Sequence, residues 1–320
     1  MVLLSQQNKM YPCRLINLQQ GGRLYKGIYT PIITVFRDGA IDYEAQTRLV
    51  ERQIQAGVDG ILFCGSIGEF HAMKLADKKE YFRWAGQMVA GRVKVLAGTG
   101  GTCIEDVMDL TSFAADHEID GAIVISPYYF QLGHDDLYRY YETIATIGLP
   151  IILYNFPDRT GISMTPTLVR ELATNFKEIV GIKDTVDSIS HTREVINAVK
   201  SIKPEFAVLS GYDEYLVPNL LAGGDGVLAG MTNVAPTIFV SLRKAFLEGN
   251  IQMISQQTAV INKLMRLYSV TNPFITAIKE AVNFVVGNIS TDVLPPARKA
   301  NLQERDQVMQ ILGEINQTIE

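Results

Sequence analysis

The sequence predicts an α/β fold, a (β/α)8 or TIM barrel followed by a C-terminal helical extension, on three observations. Eight short apolar runs alternate with segments of helical periodicity between residue 24 and residue 248. The runs are apolar at successive positions instead of every second one, which is how strands covered on both faces read. Asp-Gly directly precedes three of them, in Val58-Asp59-Gly60-Ile61, Ile119-Asp120-Gly121-Ala122 and Gly224-Asp225-Gly226-Val227, a weak internal echo that fits helix-to-strand turns on one face. An open doubly wound sheet usually has fewer strands and a nucleotide loop after the first, so the closed barrel fits better.

Taken in order, residues 25–33 form the first predicted strand, Arg37-Asp38-Gly39-Ala40 a turn, and 43–55 a helix whose Leu49, Val50 and Ile54 have helical spacing. Strands follow at 60–64, 93–97, 121–125, 150–154, 179–183, 206–210 and 226–229. Between them lie predicted helices at 77–89, 104–117 and 135–147, one opened by Thr165-Pro166, and one at 188–199. From Ala235 onward the pattern is helical only, near 238–247, 251–268, 274–286 and 300–319. The expected organisation is therefore an N-terminal extension at 1–23, the barrel at 24–248 and a helical region at 249–320.

At 320 residues and 47% hydrophobic, the chain can bury one large core, since α/β barrels commonly exceed roughly 200 residues as a single domain. A net charge of −5 without a dense Lys/Arg cluster argues against a nucleic-acid surface and for small neutral or anionic metabolites. Cys13, Cys64 and Cys103 are widely spaced, which signals neither a disulfide framework nor a zinc knuckle and fits a reducing compartment. No signal-peptide core opens the chain and no apolar run is long enough to span a bilayer, so no membrane and a cytoplasmic location are expected.

In such barrels the chemistry sits at the C-terminal ends of the strands. The sixth strand, Ile179-Val180-Gly181-Ile182, ends in Lys183. A lysine at the mouth of an apolar pocket is poorly solvated as an ammonium and becomes a usable nucleophile toward carbonyl carbon, although this segment alone reads more simply as a strand-terminal lysine that reaches solvent beside Asp184. The second strand leads into Gly65-Ser66-Ile67-Gly68-Glu69, where backbone N–H groups can approach an anion and Ser66 can pass a proton. The fourth leads into Ser126-Pro127-Tyr128-Tyr129-Phe130, and the fifth ends Tyr154-Asn155-Phe156-Pro157-Asp158-Arg159, a phenol at the rim and a guanidinium in the loop. Arg159 either clamps a carboxylate or pairs with Asp158. Together these residues supply what a lysine-dependent aldolase for 2-oxo acids requires.

Other chemistry fits poorly. Gly98-Thr99-Gly100-Gly101-Thr102-Cys103 lacks the last glycine of a dinucleotide loop, and Cys64 stands where a hydrolase elbow needs glycine. His71, His117, His134 and His191 have no metal-ligand spacing and read as surface or helix histidines, so no metal is expected. Gly223-Gly224-Asp225-Gly226 could mark the phosphate site of a sugar-phosphate barrel enzyme, a distant alternative because Asp225 would repel the anion.

The motifs Gly65-Ser66-Ile67-Gly68-Glu69, Gly98-Thr99-Gly100-Gly101, Pro127-Tyr128-Tyr129, Tyr154-Asn155-Phe156-Pro157 with Thr160-Gly161, and Gly181-Ile182-Lys183 resemble those of the dihydrodipicolinate synthase / N-acetylneuraminate lyase family of pyruvate-dependent class I aldolases. The resemblance runs from about residue 25 to the end. It implies Lys183 as the Schiff-base lysine, Tyr154 as general acid/base, Ser66 as its proton-relay partner, and the Ser66 and Ile67 amides as binders of the pyruvate carboxylate. It implies that Tyr129 is lent to a neighbouring subunit. Arg159, Gly211 and Leu228 join Ser66 and Ile67 as expected substrate contacts.

No cofactor is implied beyond a covalent lysine imine with substrate. The implied partners are pyruvate and a small aldehyde or 2-keto-3-deoxy acid, with a homo-oligomer, by family likeness a tetramer. Two branches compete. Phe156, Gly211-Tyr212-Asp213 and Lys183-Asp184-Thr185 resemble the 2-keto-3-deoxy sugar acid aldolases, and this is the preferred reading. Arg159 resembles the clamp of the synthases that condense pyruvate with aspartate semialdehyde, whereas Ile67 departs from the hydroxyl those synthases usually carry. A non-catalytic descendant that senses a 2-oxo acid is the remaining alternative.

Overall fold

The computed structural model describes residues 25–319, and the expected N-terminal extension lies outside them. Eight strands, β1 (Gly27–Pro31), β2 (Gly60–Phe63), β3 (Lys94–Gly98), β4 (Gly121–Ile125), β5 (Ile151–Asn155), β6 (Ile179–Asp184), β7 (Ala207–Ser210) and β8 (Gly226–Leu228), pair in parallel and in sequence order. β1 hydrogen-bonds both β2 and β8, which closes the barrel. The intervening helices are α1 (Tyr43–Ala56), α2 (Leu75–Val89), α3 (Ile104–Ala115), α4 (His134–Ala145), α5 (Pro166–Asn175), α6 (Ile189–Lys200), α7 (Leu216–Leu221) and α8 (Pro236–Glu248). The short α7, with Pro218 inside it, carries too little periodicity to be legible in the sequence.

Local chemistry sets the helix boundaries. Asp42 Oδ1 accepts the Ala45 amide at 3.0 Å and starts α1. Thr165 does the same for Leu168 with Pro166 at the first helical position, and Ser188 for His191. Side chains inside the barrel, among them Leu62, Leu96, Ile123, Ile152 and Leu209, form one buried cluster closed at its lower end by Tyr25 and Tyr29. A second, larger cluster fills the layer between strands and helices. This double burial is why the strands read as unbroken apolar runs.

The Asp-Gly echo is a repeated clamp at the N-terminal end of the barrel. Asp59 donates its N–H to the Ile28 carbonyl and accepts the Ile28 N–H on its carboxylate, each at 2.8 Å. Asp120 treats Val95 in the same way at 2.8 and 2.8 Å, and Asp225 treats Val208 at 2.9 and 2.9 Å. Each aspartate thereby ties its strand to the preceding one. The glycine that follows makes room: a Cβ on Gly60 would meet the Tyr29 ring at 2.4 Å. Asp225 also pairs with Lys200 at 2.5 Å and stands at the end of β8 remote from the catalytic mouth, so the Gly223–Gly226 stretch is a structural clamp, not a phosphate site.

After β8 come a 3-10 turn at Gly230–Asn233 and α8, then α9 (Ile251–Leu264), a 3-10 turn at Met265–Ser269, α10 (Ile275–Val286) and α11 (Leu302–Ile319). The sequence predicts one helix through residue 268, whereas the last turn tightens at Met265. No helix among the described residues is long and apolar enough to cross a membrane. The C-terminal helices are bolted to the barrel by a buried ion pair, Lys279 with Glu69, in which Lys279 also donates to the Asp292 carbonyl at 2.6 Å. Glu69 Oε2 accepts the Leu294 amide at 2.7 Å, so the loop after β2 and the C-terminal region are one unit.

Candidate active site

The register of β5 on β6 builds the centre. Between Ile151 and Ile152 the pairing shifts, from Ile151 opposite Ile179 to Ile152 opposite Gly181. The extra residue in β6 brings Lys183 opposite Tyr154, where an unshifted ladder would have put it opposite Asn155. Both side chains enter the barrel mouth, with Lys183 Nζ 4.1 Å from the centre of the Tyr154 ring. Lys183 is 6% exposed and, among the described residues, has no ion-pair or hydrogen-bond partner. Gly211, just past the end of β7, faces it: a Cβ there would lie 1.8 Å from Thr185 Oγ1 and 3.1 Å from Lys183 Cε, so glycine leaves the Thr185 and Lys183 side chains their space.

Ser66 Oγ lies 3.4 Å from the Tyr154 hydroxyl, a contact that pairs the two expected proton carriers. The backbone N–H groups of Ser66 and Ile67 donate to no acceptor among the described residues, which leaves them available to an anion beside Lys183. A cavity of about 240 Å³ joins Lys183, Tyr154, Ser66, Ile67, Arg159, Gly211 and Leu228. Tyr129 is the exception among the expected site residues. It is 89% exposed, packs edge-on against Phe130 at 5.0 Å, and holds a φ of 95° that a bulky L-residue rarely adopts. It does not line the cavity.

Residues 24–315 match the model of the dihydrodipicolinate synthetase family. The chain is 39% identical to the putative 2-dehydro-3-deoxy-D-gluconate aldolase YagE of Escherichia coli K12, over 91% of this chain and 97% of that one. It is 37% identical to the probable 2-dehydro-3-deoxy-D-pentonate aldolase YjhH of the same organism, over 90% and 96%. The crystal structure of YagE in complex with pyruvate superimposes with a TM-score of 0.90, covering 92% of this chain and 99% of that one. Dihydrodipicolinate synthase from Aquifex aeolicus gives 0.86 at 30% identity, covering 91% and 98%.

This chain belongs to the dihydrodipicolinate synthetase family. As a member of that family it is a lyase, and its barrel with C-terminal helices is the fold of the family's solved structures. Against that background the cavity has walls that sequence reasoning missed. Met265, Tyr268 and Phe274 come from the C-terminal region, so what reads as an appendage closes one side of the site. Thr185, two residues beyond Lys183 and just past the end of β6, lines the cavity with a buried hydroxyl that has no partner among the described residues. That spacing was a readable signal.

Asp213, which the sequence offers only as part of the Gly211-Tyr212-Asp213 motif, also lines the cavity. Its carboxylate accepts the Gly230 amide at 3.0 Å and the Met231 amide at 2.6 Å, with the Tyr268 hydroxyl at 3.2 Å. Burial pushes its pKa up to about 7 against the pull of the two amides. Arg159 does not pair with Asp158. Its guanidinium lies over the Phe156 and Phe274 rings, at 5.6 and 5.8 Å, while Asp158 receives the Tyr212 hydroxyl at 3.5 Å. Among the described residues no cluster of three or more His, Cys, Asp or Glu could hold a metal ion. His191, expected as a surface or helix histidine, lies on α6 but turns inward against Asp184.

Proposed function

We propose that this chain is a class I aldolase in which Lys183 forms an imine with the 2-oxo group of pyruvate or of a 2-keto-3-deoxy sugar acid. The observation that carries the reading is a buried, unpartnered lysine facing a tyrosine across two adjacent strands, with a serine hydroxyl and two free amides beside them. Lys183 Nζ adds to C2, and Tyr154 gives its proton to the departing hydroxyl so that water leaves as the protonated imine forms. In the cleaving direction the C3–C4 bond breaks, its electrons pass into the imine to give an enamine, and the C4 hydroxyl proton goes to the Tyr154 phenolate. Protonation at C3 and hydrolysis then release pyruvate and free the lysine. The amides of Ser66 and Ile67 hold the carboxylate throughout.

The chemistry of the outer cavity favours a hydroxylated chain over a second carboxylate. Thr185 offers an unpaired hydroxyl and Asp213 an acidic wall, both suited to sugar hydroxyls, and the names of YagE and YjhH carry six- and five-carbon substrates of this type. Arg159, free of Asp158, is the feature that favours the synthase reaction. The two are separated by kcat/KM for cleavage of a 2-keto-3-deoxy aldonic acid and for condensation of pyruvate with aspartate semialdehyde, measured in one preparation. Cleavage is expected to be faster. A semialdehyde reaction faster by more than about tenfold, ~1.4 kcal/mol, overturns the choice of branch.

Tyr129 is read as the gift of one subunit to another. A second opening, lined by Ser66, Phe70, Tyr128, Arg159 and Phe274, lies beside the relay and offers an outside aromatic an entry. Mixing Tyr129→Phe and Lys183→Ala protein is then expected to regenerate active hybrid sites. No recovery after demonstrated subunit exchange removes the shared site.

A further inference from the structure

One step beyond Tyr154 and Lys183, on the outer face of the same two strands, Asn155 stands opposite Asp184. The Asn155 amide nitrogen donates to Asp184 Oδ1 at 2.9 Å, and Asp184 Oδ2 meets His191 Nδ1 at 3.0 Å. His191 Nε2 meets the Met164 carbonyl at 3.0 Å, and the Met164 N–H returns to Asn155 Oδ1 at 3.0 Å. Thr192 adds a bond to Asp184 Oδ2 at 2.7 Å. The four groups form a closed ring of hydrogen bonds that joins β5, β6, α6 and the end of the loop carrying Arg159. Asp184 and Asn155 are buried.

The ring fixes its own protonation. A carbonyl only accepts, so Nε2 must donate to Met164, and the Asp184 carboxylate requires a proton on Nδ1 as well. The circuit is complete only when His191 is an imidazolium, a state that the hydrogen bond to Asp184 favours by raising the ring above its ordinary value of 6.5. The charged groups that act on the ring are Asp184 from β6 and Glu194 from its own helix. On α5, Arg170 bonds the Ala198 carbonyl farther along α6, and Glu171 pairs with His134.

We propose that His191, acting through Asp184 and Asn155, is a positioning residue that holds Lys183 and Tyr154 opposite each other and pins the Arg159 loop to the same frame. Each catalytic side chain is covalently adjacent to a member of the ring, so slack in the ring becomes displacement at the reacting atoms, where small misplacements are costly. The carboxylate-binding amides of Ser66 and Ile67 lie outside the ring, so pyruvate binding is not its task.

This inference rests on the aldolase reading, and the test keeps the two apart. Wild-type protein is incubated with pyruvate and borohydride, and the reduced adduct on Lys183 counts competent sites. Failure of the wild type to trap pyruvate removes the aldolase reading itself. With trapping established, kcat per trappable site is compared for wild type, His191→Gln and His191→Ala from pH 5.5 to 9.

The expected result is a loss of about tenfold or more in kcat at low pH, with half-saturating pyruvate within about threefold of wild type. The ratio of wild type to variant then shrinks as pH rises above 6.5, because the wild-type ring loses its proton while all other titrating groups are common to both proteins. A ratio near one, or one that does not change with pH, overturns the proposal. Counting sites by trapping removes any contribution from misfolded protein, and the Gln variant serves if the Ala variant does not fold.

Discussion

Lys183 and Lys279 are two buried lysines of one barrel with opposite surroundings. Lys279 is 0% exposed, paired with Glu69, bonded to the Asp292 carbonyl and laid over the Phe36 ring at 4.6 Å. Lys183 has an aromatic face at 4.1 Å and, among the described residues, neither a carboxylate nor an acceptor. A buried cation is tolerated when it is paired and hydrogen-bonded, so Lys279 is what structural burial of a lysine looks like. Lys183 departs from that rule at the mouth of a cavity. A group left unsatisfied beside open space is available to a reactant, and on the proposed aldolase reading stability is given up there in exchange.

The comparison is broken or sharpened most strongly by replacing each lysine with methionine. Lys183→Met is expected to remove the borohydride-trapped pyruvate adduct and reduce turnover to background while leaving the melting temperature equal or higher, since no partner is orphaned. An adduct of the same mass in that variant moves the nucleophile elsewhere. Tyr154→Phe is expected to lower kcat by roughly 10²–10⁴-fold with trapping retained, the usual worth of a positioned acid/base. Near-normal turnover there removes Tyr154 from the proton path.

Lys279→Met is expected to do the reverse of Lys183→Met. It leaves Glu69 buried without its cation, at a cost of about 3–5 kcal/mol in unfolding free energy by urea titration. Because Glu69 follows the loop that carries Ser66 and Ile67 and also holds the Leu294 amide, a rise in KM for the oxo acid should accompany the lost stability. Adding Glu69→Leu to Lys279→Met should recover part of the loss by removing the orphaned charge. A single variant as stable as wild type shows that the pair is not what fastens the C-terminal helices.

The Lys183 side of this contrast is legible in the sequence, whereas Lys279 carries no signal there that separates it from an exposed helix lysine. Lys183, Tyr154 and Ser66 could be found because a barrel gathers its strand ends, so polar residues directly after apolar runs converge whatever their separation along the chain. The Asp-Gly echo was visible, but its meaning needed strand pairing, since each aspartate clamps a residue of the preceding strand. The echo is missing before β6, where Glu178 stands and its carbonyl accepts the Ile151 amide at 2.7 Å, next to the register shift. That shift was illegible, because Val180 and Gly181 fit an apolar run in either register. Met265 and Tyr268 are illegible for another reason: they reach the cavity through a 3-10 turn after a helix whose pattern runs on past it, and Phe274 reaches it from the start of α10. His191 reads from the sequence as a surface or helix histidine because spacing along a helix does not say which carboxylate waits across the interface.

The smallest expected effect separates two buried carboxylates in the way the lysines are separated. Asp225, at the closed end, is paired with Lys200 and accepts the Val208 amide. Asp213, at the open end, accepts two amides and a phenol but, among the described residues, pairs with no cation, and burial pushes its pKa up to about 7 from an ordinary 3.8. A carboxyl whose folded value lies above its unfolded value holds its proton longer in the native state. Between pH 3.8 and about 7 this residue therefore binds more protons in the folded protein than in the unfolded chain, and its contribution to stability must fall as pH rises through that window. The slope from this one group can reach at most ~1.4 kcal/mol per pH unit. Asp213→Asn cannot ionise, so the difference in unfolding free energy between variant and wild type should move in the variant's favour from pH 4 to pH 7 and then level off. The measurement is urea unfolding of both proteins at several pH values across that range. Parallel pH dependences would mean that Asp213 ionises in the folded state as readily as in the unfolded one, and the open end of the barrel would then be as well satisfied at this residue as the closed end is at Asp225.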